Sequence, residues 1–248
     1  MGGDLTNRAE LLRSLHVRGN PLVLPNAWDV ASARAVVAAG FPVVATTSGG
    51  VAAALGYEDH EAAPREEMLA AAARIARSVD VPVTVDAEAG YGLEPVELVG
   101  ALASVGAAGC NLEDTDHSTG ELREPEAHAT WLRRIRDADE YGLVVNARVD
   151  VFLHGDGSQG ELVDHALDRA RTYLEAGADC VYPILLSDAE AIAAFVDGVH
   201  GPVNILAGDR APAIGELAEL GVARISYGTR LHRDVMRRFE ESLDLIRR

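Results

Sequence analysis

Two carboxylates two residues apart, Asp86 and Glu88, stand where the apolar run Val81-Pro82-Val83-Thr84-Val85 gives way to a glycine-bearing loop. Side chains alternate along a strand, so an extended backbone points both acids the same way, and like charges that close need a proton or a metal to coexist. Asp59 and Glu113 lie after two other apolar runs, which makes four carboxylates expected around one mouth. Oxygen-only donors suit Mg2+, with Mn2+ as the alternative, bound by one or two carboxylates and bridged by water to the rest. Any one of these acids alone reads equally well as a helix cap or a surface residue. At the ends of adjacent strands, together, they favour a metal site.

The same strand ends carry further candidates. Arg148 is the cation expected inside this acidic mouth, either clamping a substrate carboxylate or phosphonate or pairing with Asp150 or Glu113. Thr47, Ser48 and the pair Gly49-Gly50 read as a glycine-rich turn offering hydroxyls and backbone N–H groups to an anionic substrate. Tyr182 and Asn204, at the ends of two later strands, are expected to line the substrate site. His117 lies in the small, polar segment Thr115–Gly120, which reads as a lid whose His117, Ser118 or Thr119 handles a proton. His154, His165, His200 and His232 are expected at the surface.

Positioning these groups requires a repeating scaffold. Short apolar runs at 22–24, 43–46, 83–85, 109–112, 143–147, 180–183, 203–206 and 224–226 are each followed by a turn and then by a stretch with helical spacing. Gly40, Gly106, Gly177 and Gly221 stop four of those helices just before the next run. Eight parallel βα units fit a single closed (β/α)8 barrel of TIM type over residues 1–248, with a short leading helix near 5–16. Such barrels place their working site at the carboxyl ends of the strands, which is where these polar residues fall.

Composition narrows the partners. A net charge of −17 opposes nucleic acid or an anionic membrane as partner. No apolar run approaches the roughly 20 residues of a membrane span, and no signal-like start is present, so the expectation is a cytoplasmic protein. All 22 basic residues are arginine, which excludes a lysine Schiff base. Cys110 and Cys180 lie in apolar runs and read as buried strand residues.

The segments Pro25–Asp29, Thr46–Gly50, Leu55–Asp59, Asp86–Gly92, Asn111–Asp114, Asn146–Arg148 and Pro202–Ala207 together resemble the isocitrate lyase / phosphoenolpyruvate mutase superfamily, over nearly the whole chain. The resemblance implies a Mg2+-dependent enzyme that makes or breaks a C–C or P–C bond in a small 2-oxo acid or related carboxylate through an enolate. It implies Asp86 as the direct metal ligand, with Asp59, Glu88 and Glu113 acting mainly through water. Ser48 and Gly49 would hold the substrate's carboxylate and carbonyl oxygens, and Arg148 would be the catalytic-site arginine. It also implies a homo-oligomer, dimer or tetramer, that exchanges its last helix, here 229–246, through Leu231, Val235, Phe239 and Leu243.

The lid departs from the family pattern. Isocitrate and methylisocitrate lyases carry Lys-Lys-Cys-Gly-His there, with the cysteine as proton donor, and phosphonate-processing members use a lid lysine. This chain has Thr115-Asp-His-Ser-Thr-Gly120. Two other readings stay open: a phosphate-binding biosynthetic barrel, suggested by Gly208 and Gly228, and a non-catalytic member that binds metabolites.

Overall fold

A computed structural model describes residues 2–247. Eight parallel strands form the barrel wall: β1 (Leu22–Leu24) continuing as β2 (Asn26–Ala27), then β3 (Val44–Thr46), β4 (Val83–Asp86), β5 (Gly109–Leu112), β8 (Val144–Val149), β9 (Cys180–Pro183), β10 (Asn204–Leu206) and β11 (Arg224–Ser226). Between β5 and β8, β6 (Thr115–Asp116) and β7 (Glu121–Leu122) form a small antiparallel hairpin. Pro25 has no N–H for a ladder and interrupts the first strand, so β1 pairs with β11 while β2 pairs with β3. A parallel bridge between Val181 and Val203 joins β9 to β10 and closes the ring.

The expected helices appear as α1 (Gly2–Ser14), α2 (Val30–Ala38), α4 (Arg65–Ala76), α5 (Pro95–Val105), α6 (Pro125–Ala138), α8 (Gln159–Glu175), α9 (Ala189–Gly198), α10 (Ile214–Glu219) and α11 (Arg230–Ile246). Two were not expected: α3 (Ser48–Leu55) and the single turn α7 (Val151–His154). Gly40, Gly106, Gly177 and Gly221 all take positive φ, as the helix-stop pattern requires.

One apolar core lies between strands and outer helices, and a second fills the amino-terminal end of the barrel. There Ala9 and Leu12 of α1 pack on Leu22, Leu24, Val43 and Val144. The contact is close: a Cβ on Gly109 would stand 2.7 Å from Leu12 Cδ2. The leading helix therefore plugs one end, leaving the opposite end to carry the polar groups. No helix among the described residues is long and apolar enough to cross a membrane.

The last helix behaves differently from the others. None of its residues is buried, and Val235, Met236, Phe239 and Leu243 are exposed along its apolar stripe.

Candidate active site

The carboxyl ends of the strands surround an open cavity of about 620 Å3. Of the residues expected there from sequence, Thr47, Ser48, Asp59, Asp86, Arg148 and Tyr182 line it. Asp86 is the last residue of β4, and three bonds orient it. Its own N–H donates to Thr46 Oγ1 at 2.8 Å, Ser48 N–H donates to its Oδ2 at 2.9 Å, and Asn111 Nδ2 donates to its Oδ1 at 3.3 Å.

The segment expected as an anion-binding glycine turn is instead the first turn of α3. The Ser48 N–H there is already used on Asp86, so the helix start serves the acid. Gly49 and Gly50 are small because of what surrounds them. A Cβ on Gly49 would stand 2.6 Å from Asp59 Oδ2 and 2.8 Å from Thr229 Oγ1, and one on Gly50 would stand 2.6 Å from Thr47 Cγ2. Replacing Gly49 with alanine leaves the helix intact and displaces the Asp59 carboxylate. The expected result is a folded protein and, if the cavity holds a divalent ion, an affinity weakened about 10- to 100-fold, read by Mg2+ calorimetry against the parent.

Glu88 corrects the strand-alternation expectation. The strand ends at Asp86, and Glu88 has φ +48°, so it turns away from the line of Asp86 and does not line the cavity. It is 2% exposed, and its Oε2 accepts from Glu61 N–H at 2.8 Å. Glu61 in turn accepts Tyr91 N–H at 2.6 Å, so two left-handed turns, His60-Glu61 and Glu88–Tyr91, lock together. Burial, followed by the charges of Asp86, Asp59 and Glu113, pushes the Glu88 carboxyl up to about 9.

Glu113 and Arg148 form the other half of the site. Arg148 Nη1 donates to Glu113 Oε1, while Nε and Nη2 donate to Asp150 Oδ1 and Oδ2 at 2.5 and 2.8 Å. Both pairings allowed from sequence therefore occur, and the guanidinium still faces the cavity. Burial opposes its charge, but Asp150 and Glu113 outweigh that and hold its pKa above the usual range. Burial raises Glu113 to about 7 even against Arg148 and His117. Neither Glu88 nor Glu113 reaches the cavity directly, so both act on it through charge and through their neighbours.

The lid segment forms the hairpin β6–β7 beside the cavity, and none of its residues lines it. His117 Nε2 stands 3.0 Å from Glu113 Oε2, and that carboxylate holds the imidazole above its usual pKa against the effect of burial. Its ring also packs on His60 with centroids 5.3 Å apart. The hydroxyls of Ser118 and Thr119 are engaged within the turn: Ser118 Oγ donates to Asp116 Oδ1 at 2.6 Å, and Thr119 Oγ1 donates to Asp116 O at 3.4 Å and accepts Glu121 N–H at 3.3 Å. At the root of the hairpin Thr115 Oγ1 donates to Asp150 Oδ2 at 2.5 Å and lies 2.9 Å from His154 Nε2. His154 is exposed, as expected, and also touches the network behind Arg148 through Thr115.

Asn204 lies behind the wall, fully buried, exchanging hydrogen bonds with Ser226, which does line the cavity. Asn26 and Asn111 were missed as site residues. Asn26 Oδ1 accepts Tyr227 N–H at 2.8 Å and Gly228 N–H at 2.9 Å, and its Nδ2 donates to Thr46 O at 2.7 Å, tying the first strand to its neighbours. Those two amides are consequently engaged and do not form a phosphate cradle after β11. The usable signal was an asparagine inside an apolar strand, since a buried amide must find partners.

A divalent cation suits these donors. Among the described residues the Asp59 Oδ1 atom is buried without a partner, Asp86 faces the same cavity, and the charges of Asp86, Asp59 and Glu113 add to burial in raising Glu88. No three His, Cys, Asp or Glu side chains among the described residues converge as a ready-made cage. That arrangement fits Mg2+, which keeps several waters and takes one or two carboxylates, better than zinc, which takes a closed set of protein ligands.

Residues 12–247 match the family model for phosphoenolpyruvate phosphomutase. The chain belongs to the phosphoenolpyruvate phosphomutase family. Within the wider isocitrate lyase / phosphoenolpyruvate mutase superfamily, this family member is 38% identical over 220 residues to an uncharacterized protein of Mycobacterium tuberculosis, covering 87% of this chain and 80% of the relative. It is 33% identical over 205 residues to "Probable 2-methylisocitrate lyase 2" of Corynebacterium glutamicum, covering 77% and 65% of the two chains. A crystal structure from Burkholderia cenocepacia, described as a candidate phosphonomutase, superposes with a TM-score of 0.91 at 40% identity, covering 96% of this chain and 99% of that one. The superfamily comprises lyases and mutases, and the closed barrel seen here is its fold.

Proposed function

We propose that this phosphoenolpyruvate phosphomutase-family member is a Mg2+-dependent lyase or mutase-type enzyme, acting on a small 2-oxo acid or related carboxylate through an enolate. The observation that carries this reading is the pairing of Asp86 and Asp59 on an open cavity with Arg148 also facing it. Mg2+ held by Asp86, with Asp59 reaching it through water, would supply a Lewis acid for a carboxylate and the adjacent 2-oxo oxygen. The chain's own residues do the rest. Ser48 N–H and Asn111 fix the Asp86 carboxylate, and Arg148 supplies positive charge where negative charge develops. Thr47 and Ser48 line the cavity and orient the substrate. His117 is the lid group suited to hold or move a proton, because the Ser118 hydroxyl is bonded within its turn. Glu88 and Glu113 stand behind as charged supports.

A panel of 2-oxo and 2-hydroxy diacids and phosphonopyruvate, assayed for 2-oxo acid release with Mg2+ and with EDTA, tests the proposal. Turnover of one of them only with Mg2+ supports it. Equal turnover in EDTA, or no turnover of the panel, rejects it.

The exposed stripe of α11 supports assembly into a dimer or tetramer by exchange of that helix. Monomers rarely leave such a stripe uncovered. Phe239→Asp is expected to shift the protein to monomer in light-scattering chromatography, while an unchanged oligomer would refute the exchange. Placement in the cytoplasm is part of the same proposal.

A further inference from the structure

Arg224, the first residue of β11, is 1% exposed inside the barrel. Among the described residues its guanidinium makes one hydrogen bond, from Nη2 to Asn111 Oδ1 at 3.1 Å, and Nε and Nη1 have no partner. It has no carboxylate pair there either. Burying a cation without a counter-charge is among the most costly choices open to a fold, and an apolar residue of the same size is often tolerated as well or better. Burial holds the pKa of Arg224 below the usual range. A reason for keeping the charge must therefore lie in what surrounds it.

Asn111 Oδ1 also accepts from Asn146 Nδ2 at 2.8 Å, so two donors fix the amide oxygen on the inside. The amide nitrogen is thereby turned toward the cavity, where it donates to Asp86 Oδ1 at 3.3 Å. Asn111 lines the cavity and Arg224 does not, which puts the guanidinium one layer beneath the floor. The titratable neighbours that bear most on Arg224 are Cys180, Tyr182, Asp86 and Cys110. Burial keeps both thiols and the phenol in their neutral forms. Of the four, the carboxylate of Asp86 is the acid.

We propose that Arg224 is a positioning residue for the cation site: through Asn111 it orients Asp86, and its uncompensated charge beneath the floor weakens divalent-ion binding while favouring the anionic substrate. The inference rests on the Mg2+ reading above. A buried positive charge acts on a cation and an anion with opposite sign, and water screens it little there. The site is thereby poised to hold its ion firmly only once an anion has joined it.

The test compares the unaltered protein with Arg224→Met, which keeps bulk and removes charge, and Arg224→Lys, which keeps a basic group but one that gives up its proton more readily when buried. Mg2+ binding is measured by calorimetry without substrate, and binding of oxalate, a planar dianion resembling the enolate of a 2-oxo acid, is measured with Mg2+ present. Because Asn146 still holds the Asn111 amide, loss of the charge is expected to dominate: Arg224→Met should bind Mg2+ at least about fivefold more tightly and oxalate at least about fivefold more weakly, with a melting temperature no lower than the parent's. Arg224→Lys, whose buried ammonium is partly discharged, is expected to lie between the parent and Arg224→Met for both ligands. Arg224→Gln, smaller and neutral, is expected to follow Arg224→Met.

Unchanged affinities in all variants, or weaker Mg2+ binding by Arg224→Met, overturn the inference and leave the Mg2+ reading standing. Failure of both neutral variants to fold assigns Arg224 a purely structural role and also overturns it. Absence of Mg2+ binding by the unaltered protein removes the metal reading itself, and this inference with it.

Discussion

An Asp86→Ala variant is expected to fold, to bind no Mg2+, and to lose turnover by at least about 10³-fold, the scale of the several kcal/mol that a Lewis acid contributes. The carboxylate lies on the cavity and accepts from Ser48 N–H and Asn111 Nδ2, while the backbone N–H of Asp86 donates to Thr46 Oγ1. Loss of the side chain is not expected to destabilise the metal-free protein. Asp86 is the foremost of the charges that raise the Glu88 pKa after burial, so its removal relieves repulsion inside the site. The contrast is measurable. Mg2+ should raise the melting temperature of the parent by mass action and leave that of Asp86→Ala unchanged. A variant that still shows the Mg2+-induced rise would place the ion elsewhere.

Arg148→Ala is expected to damage fold and chemistry together. Its guanidinium neutralises Glu113 and Asp150, the latter 0% exposed, and truncation leaves both acids buried without their partner. Breaking a buried pair from one side costs about 3–5 kcal/mol, to be read from denaturant midpoints at constant slope. Removing positive charge where negative charge develops costs a further 10²- to 10³-fold or so in kcat. The penalty to stability should shrink as pH falls. Glu113, raised to about 7 by burial, takes a proton more readily in the fold than its ordinary carboxylate range allows, so the unpaired charge is relieved on acidification below neutrality. A stability loss independent of pH, or one under about 1 kcal/mol, would show that Arg148 is not the counter-charge described.

These expectations depend on features that the sequence revealed unevenly. The eight barrel strands were legible because a parallel strand buried on both faces is a short apolar run, and a left-handed glycine announces each helix stop. Asp86, Asp59 and Arg148 were legible because strand ends are where such a barrel gathers its polar groups. Glu88 was misplaced because period-two alternation was carried past the end of the strand, into a backbone that turns left-handed. The helix Ser48–Leu55 was missed because Gly49-Gly50 looked like a turn, while the structure uses their missing Cβ atoms to admit Asp59 and Thr47. Ser118 and Thr119 carried the right chemistry, but hydroxyls near an aspartate can close a local turn, and here they do.

Arg224 was hidden for a different reason. An arginine at the head of a strand reads as a polar boundary, and only the closed barrel shows that it points into the interior beneath Asn111. The asparagines of β5 and β8 sit directly opposite one another in register, a pairing no single-sequence pattern announces.

The central claim, that Asp86 and its surroundings exist to hold a divalent ion that in turn holds a 2-oxo acid, is tested most directly by calorimetric titration of oxalate into metal-free protein, with Mg2+ and with EDTA. Saturable oxalate binding with Mg2+, and none in EDTA, is the predicted result. Equal oxalate affinity under both conditions would contradict the claim.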